Sequence, residues 1–208
     1  MLWSSDAVKK GCNIFVLSAS YIMKDLINEK LLLYKVRIKR DPEAYGLLYD
    51  LYVKKIYRFV FFKISSREEA EDLTSEVFLK AWNYLVENSE QEIRSFASFI
   101  YRIARNLVVD FYREKARRSS ELPLEAVIEI VAAAGAGEEQ RLEVDGEIDE
   151  IMKVLKKMKL EYQEAVLLHY IEELSAGEVA RILGKSQISV RVTLHRALKK
   201  LKELLEKK

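Results

Sequence analysis

The sequence predicts an all-α protein built from two small helical domains joined by an acidic flexible linker. Three observations carry that expectation. Prolines and glycines are scarce, two and seven in 208 residues, whereas strong helix formers are abundant. Half of the residues are hydrophobic and a third charged, which suits one large or two small cores and is too apolar for a disordered chain. Apolar residues recur at three- and four-residue steps in two blocks, and the stretch between them has no such face.

Residues 1–23 read as an N-terminal extension, with Met23 as an alternative start. Behind Lys9 and Lys10, the apolar stretch Cys12 to Met23 is broken by Asn13, Ser18 and Ser20. It is too short for a membrane span and lacks a small-residue cleavage site, so no membrane insertion is expected.

The first block spans 24–118. Leu26, Leu31 and Leu33 begin it. Asp41-Pro42-Glu43 then starts a helix, with Asp41 as N-cap and proline in the first turn. Its inner face is Tyr45, Leu48, Tyr49, Tyr52, Ile56, Phe59 and Val60. Ser66 and Glu69 make a capping box for the next helix, which turns Ala70, Leu73, Val77, Ala81 and Leu85 inward. After the polar loop Glu87 to Glu92, a helix from about Ser95 to Lys115 buries Phe96, Phe99, Ile100, Ile103, Leu107 and Phe111. Its outward stripe is Arg102, Arg105, Asn106, Val109, Arg113 and Arg117, flanked by Tyr101 and Tyr112. A basic stripe with aromatic neighbours suits a single nucleic-acid strand, although such a face is often only solvated.

The segment 119–147 is the expected linker, with Pro123 and the small-residue run Ala132 to Gly137. The second block, 148–208, opens with a helix carrying Ile151, Val154, Leu155 and Met158. A helix from Glu161 to Glu172 follows, around Ala165, Val166, Leu168 and Tyr170. Leu174 to Val190 then reads as a helix-turn-helix. Ser175 and Glu178 form a capping box, Ala180 permits a close crossing, Gly184 takes the left-handed turn and Ser186 caps the second helix. That helix, about Gln187 to Leu205, directs Val190, Leu194, Ala197, Leu201 and Leu204 inward. Gln187, Ser189, Arg191, Thr193 and Arg196 are placed outward near its N-terminal end, where such a helix enters the major groove. Lys199, Lys200 and Lys202 lie further along, nearer phosphate or solvent.

Charge is segregated. Residues 94–118 hold seven bases against two acids, net +5; residues 119–150 hold ten acids against one base, net −9; residues 181–208 hold nine bases against two acids, net +7. Two basic blocks with an acidic spacer suggest two nucleic-acid surfaces. The lone Cys12 excludes an internal disulfide and fits a reducing cytoplasm. With only His169 and His195 besides, no Cys/His metal centre and no cofactor are expected. No phosphate loop or nucleophile–base arrangement supports an enzyme.

Ala70 to Trp82 (AEDLTSEVFLKAW), Ser95 to Phe111 (SFASFIYRIARNLVVDF) and Leu174 to Leu201, with Leu194-His195-Arg196-Ala197, resemble in order three segments of the extracytoplasmic-function RNA polymerase sigma factors. These are region 2.2, regions 2.3–2.4 and region 4.2. The resemblance implies a non-enzymatic subunit that directs core RNA polymerase to promoter DNA, melts it there, and is restrained by an anti-sigma factor. It implies core-polymerase binding by Asp72, Glu76, Phe78 and Trp82, although Phe78 and Trp82 equally suit core packing. It further implies −10 contacts by Arg102, Arg105, Asn106 and Arg113, a pocket for an unstacked base at Asn88 to Arg94, and −35 reading by the outward residues of the last helix. Ser75 departs from the family's usual residue in a way that implies one weaker polymerase contact, Phe99 replaces a common Trp but stays aromatic, and the departures at Ile188, Val192 and Thr193 imply an unusual −35 element. The helix-turn-helix alone would also suit a stand-alone duplex-binding regulator. Such a protein would bind its operator without polymerase.

Overall fold

The computed structural model describes residues 28–64, 66–119 and 146–206. The expected extension at 1–23 and nearly all of the expected linker at 119–147 lie outside the described residues.

Every regular element among the described residues is helical. Helix α1 covers 28–39, α2 Pro42–Ile64, α3 Arg67–Glu87 and α4 Phe96–Ser119. In the second block α5 is Gly146–Leu155, α6 Leu160–Val166, α7 Ala176–Leu183 and α8 Gln187–Leu205.

The caps read from the sequence form as hydrogen bonds. Asp41 Oδ1 accepts from the backbone N–H groups of Glu43 and Ala44 at 3.0 and 3.1 Å, holding the entry to α2. Ser66 Oγ accepts from Glu69 N at 3.4 Å, but the Glu69 carboxylate lies 3.6 Å from Lys115 Nζ of α4, so this cap is one-sided. Ser175 and Glu178 make the full reciprocal box at α7. Gly184 ends α7 at φ 66°, a left-handed conformation that costs glycine nothing.

The expected helix Glu161–Glu172 is divided. After α6 the chain forms a π turn, Leu167–Ile171, closed by Glu172 N donating to Leu167 O at 2.9 Å. Widening this turn by one residue alters which side chains face inward. Tyr170, expected in the core, is 47 % exposed, whereas Glu172 is buried.

Helices α2, α3 and α4 pack on one another, and α8 packs on α5, α6 and α7. Helix α7 also packs on α4, and buried residues of both blocks join in one continuous cluster. The two helical units therefore share a face that the sequence does not disclose.

Candidate polymerase and nucleic-acid interfaces

On α3, the i,i+4 spacing that buries Ala70, Val77 and Ala81 leaves Asp72 and Glu76 exposed one turn apart. Glu76 Oε1 is 2.8 Å from Lys80 Nζ, a solvated i,i+4 pair worth about 0.3–0.5 kcal/mol, so a basic partner displaces Lys80 at little cost. Of the two readings that the sequence left for Phe78, core packing is the one observed. Phe78 is 3 % exposed, with its ring 4.6 Å from that of Tyr49, and supports the face from within. Trp82 is half-buried, edge-on to Tyr45 at 5.1 Å, and keeps an accessible edge.

On α4, Arg102, Asn106 and Arg113 are exposed. Arg102 and Asn106 line a groove of about 380 Å³ between α3 and α4, together with Lys80, Tyr84 and Phe99. Lys80 thus adds a cation that the α4 stripe alone could not show. Arg113 rests against Asp110 at 3.2 Å in an exposed pair that a phosphate can replace. Beside the groove, Tyr84, residues Gln91 to Ser95, Ser98, Phe99 and Arg102 enclose a cleft of about 230 Å³, where the sequence placed the pocket for an unstacked base. Arg181 of α7 closes one wall of it.

Tyr101 and Tyr112, expected beside the basic stripe, do not face solvent; they are 0 % and 5 % exposed. The Tyr112 hydroxyl donates to Lys63 O at 2.8 Å, and burial pushes its pKa up to about 12. The Tyr101 hydroxyl donates to Glu172 at 2.7 Å, and burial followed by that carboxylate raises it well above the usual tyrosine range. Neither ring is available to a base.

Arg105 turns toward the second block, where its Nε lies 3.2 Å from Glu164 Oε1. Lys63 Nζ approaches the same oxygen at 3.7 Å, an ion pair too long for a hydrogen bond. Burial pushes the Lys63 ammonium below its ordinary pKa. A second buried carboxylate, Glu172, receives Arg58 through Nε at 2.7 Å and Nη2 at 2.8 Å, a bidentate pair completed by Tyr101. Ser95 Oγ donates to Glu178 at 2.7 Å, and Arg181 Nε donates to Ser98 Oγ at 3.2 Å. Charged and hydroxyl groups thus join the shared face alongside its apolar contacts.

Lys63, Glu164 and Glu172 escape periodicity arguments. Lys63 alone carries a signal, a charge inside the apolar run Val60-Phe61-Phe62-Lys63-Ile64.

On α8, Ser186 Oγ caps the helix by accepting from Ser189 N at 3.1 Å, and Val190, Leu194 and Ala197 face the core. Gln187, Ser189, Arg191 and Arg196 are exposed as expected. Thr193 is a correction. It is 7 % exposed and donates to Glu161 Oε1 at 3.1 Å, because it falls beside Val190 and Leu194 on the packed side. Glu161 also takes Lys185 Nζ at 2.5 Å, and that hydrogen bond holds its carboxyl below the usual range. His195 is exposed, whereas His169 Nδ1 lies 2.6 Å from Leu174 O, bracing the turn that follows the π segment.

The families described as Sigma-70 region 2 and Sigma-70, region 4 match residues 48–118 and 148–201. The chain is 30 % identical over 166 residues to RNA polymerase sigma factor YlaC of Bacillus subtilis, covering 77 % of this chain and 91 % of that one. It is 31 % identical over 170 residues to ECF RNA polymerase sigma factor BldN of Streptomyces coelicolor, covering 79 % of this chain and 61 % of that longer one. The chain belongs to the extracytoplasmic-function sigma factors. A solved structure of the sigma factor RpoE with the anti-sigma factor NepR from Bartonella quintana shares the fold, with a TM-score of 0.59 at 20 % identity over 79 % of this chain and 98 % of that one.

In this sigma factor, region 2 ends on α4 and region 4 covers α5 to α8. The face that joins α4 to α7 therefore joins region 2 to region 4. Among the described residues, no group of His, Cys, Asp or Glu could hold a metal ion. No helix among them is long and apolar enough to cross a membrane.

Proposed function

We propose that the chain works in the cytoplasm as a non-enzymatic subunit of RNA polymerase, with three surfaces acting at once. Asp72 and Glu76, with the open edge of Trp82, dock on basic groups of the core enzyme. Arg102, Asn106 and Arg113, with Lys80, hold the −10 strand exposed by melting, and the cleft beside them receives one unstacked base. Gln187, Ser189, Arg191 and Arg196 read the −35 duplex in the major groove. Neither DNA surface needs high affinity alone, because a shared scaffold makes the second contact intramolecular.

One observation supports this division most directly. The acidic pair on α3 and the cationic faces of α4 and α8 are all exposed on separate helices of the same chain. The shared face gives the reading a second state. With Arg105 held by Glu164, a carboxylate occupies a place where a DNA phosphate would otherwise sit. Arg181 of α7 also stands in the wall of the base cleft. In this reading the closed arrangement belongs to the chain off the polymerase, and docking separates the two regions. An anti-sigma factor, of the kind seen with the Bartonella RpoE, would hold the chain away from polymerase.

In vitro transcription with core polymerase and a genomic fragment library tests the proposal. The expected result is initiation at a defined promoter set only when the chain is added, with loss of holoenzyme assembly on joint Asp72→Lys and Glu76→Lys substitution. Tight, sequence-selective duplex binding by the chain alone, with no effect on polymerase, would overturn it in favour of a stand-alone regulator.

A further inference from the structure

The outward side of α8 is not wholly polar. Ile188 is 75 % exposed and Val192 44 % exposed. They sit one turn apart, and Arg191 and His195 complete the same stripe at i+3 and i+7 from Ile188. A single exposed aliphatic residue needs no explanation. Two β-branched residues stacked on the helix end that carries Gln187 and Arg191 are a different case. Their methyl groups are held in nearly fixed directions by the stiffness of χ1, so little side-chain freedom is lost when a partner covers them.

We infer that Ile188 and Val192 are specificity-determining residues that read the C5-methyl groups of thymines in the −35 duplex. The inference deepens the proposed reading of α8 and rests on it. Three features select this occupant. Arg191 lies between the two residues in sequence, and Arg196, Lys199 and Lys200 follow along the helix, a charge pattern that suits phosphate backbones. The apolar area is only two side chains wide, far less than a stable protein interface buries. In the major groove thymine alone among the four bases presents a methyl group, and aliphatic side chains recognise it by contact. Thr193, the residue first placed at this edge, is turned away toward Glu161 and leaves the outward apolar positions to Ile188 and Val192.

The test uses reconstituted holoenzyme and a promoter recovered from the fragment library. Each −35 thymine, on either strand, is replaced in turn by uracil, which lacks the methyl and keeps every hydrogen-bonding group. Removing one methyl from contact should weaken open-complex formation about fourfold at one or two positions. Ile188→Ala should lose a similar factor on the thymine promoter and become insensitive to uracil at one of those positions. Val192→Ala should do the same at a neighbouring position, and Ile188→Val should retain most of the sensitivity. Because Ile188 is exposed and alanine favours helix, the variant keeps the fold.

Uracil without effect at every position would overturn the inference, as would an Ile188→Ala enzyme that remains uracil-sensitive at the same sites, or a recovered −35 element without thymine. So would weakened assembly with core polymerase by Ile188→Ala at unchanged promoter choice, which would make the stripe a protein contact. Failure of the holoenzyme to form or to initiate anywhere would instead defeat the sigma-factor reading from which the inference starts.

Discussion

Arg105 on α4 and Arg191 on α8 look alike in the sequence, each an arginine on the polar side of an amphipathic helix. Folding separates them. Arg191 stands in solvent, while Arg105 is two-thirds covered and paired with the buried Glu164 of the opposite region. The difference lies in what packs alongside. Helix α8 spends its apolar side on α5, α6 and α7, and nothing among the described residues covers its outward face. Helix α4 packs on α2 and α3 and then also receives α7, so part of its polar side is covered within the closed chain, the same side that the proposed function turns toward DNA. If Arg105 serves the −10 strand as proposed, it is switchable, because DNA must first displace the Glu164 carboxylate. A free arginine is constitutively ready.

The most severe way to break this contrast is to remove the buried link that keeps α4 covered. Arg58→Ala leaves Glu172 nearly fully buried with, among the described residues, the Tyr101 hydroxyl as its remaining side-chain partner. Losing one member of such a pair costs about 3–5 kcal/mol, and the partial exposure of Arg58 puts the cost near the lower end. The expected result is a fall in Tm of roughly 6–12 °C for a chain of this size, with a larger radius of gyration in solution scattering. An unchanged radius would mean that the apolar contacts between α4 and α7 hold the regions together without the ion pairs.

A smaller effect comes from comparing the two arginines directly. Arg191→Ala should change promoter choice at one −35 position by about 1–3 kcal/mol and leave the stability of the free chain unaltered. Arg105→Ala should do the reverse at −35. It should leave that choice intact, loosen the closed state by removing one partner of Glu164, and weaken capture of single-stranded −10 DNA by holoenzyme. Competition transcription on paired templates, alongside thermal unfolding of the free chain, separates the two outcomes.

Next is the helix-turn-helix cap. Ser175→Ala removes the hydroxyl that caps α7 and costs about 1 kcal/mol in thermal or urea unfolding. Because Glu178 also binds Ser95, part of that loss should disappear when Ser95 is already alanine.

The smallest effect is a dependence on acid. Burial pushes the Glu178 carboxyl up, but hydrogen bonds from Ser175 and Ser95 outweigh it and hold the pKa below the ordinary glutamate value. A depressed carboxylate stabilises the fold fully above its unfolded pKa, about 4.3, and the contribution is lost as pH falls through the folded value. Unfolding followed between pH 6 and 3 should therefore show a shallower loss of stability in Glu178→Gln than in the unmodified chain.

Much of this molecule is legible in local sequence. Asp41, Ser175, Ser186 and Gly184 act within one helical turn of themselves, so caps and turn could be read without knowing any neighbour. The amphipathic spacing of α3, α4 and α8 likewise placed Asp72, Arg102, Asn106 and Arg191 on exposed faces. Reading failed where a face meets a helix that is distant in sequence. Tyr101 and Thr193 were assigned outward and Phe78 was left between contact and core, because polarity and spacing allow either side, and only the arrival of the second block, α6 and α2 settles the matter.

The sequence by itself determined the all-helical class, the capped helix starts, the two basic surfaces and the acidic segment between them, since each follows from propensity, capping and charge over a few residues. Only the tertiary structure decided that Lys63, Glu164 and Glu172 are buried, that a π turn directs Glu172 inward, and that Arg105 is covered. Burial of a charge is stable only against a partner in the right place, and here those partners lie as far as 114 residues away along the chain.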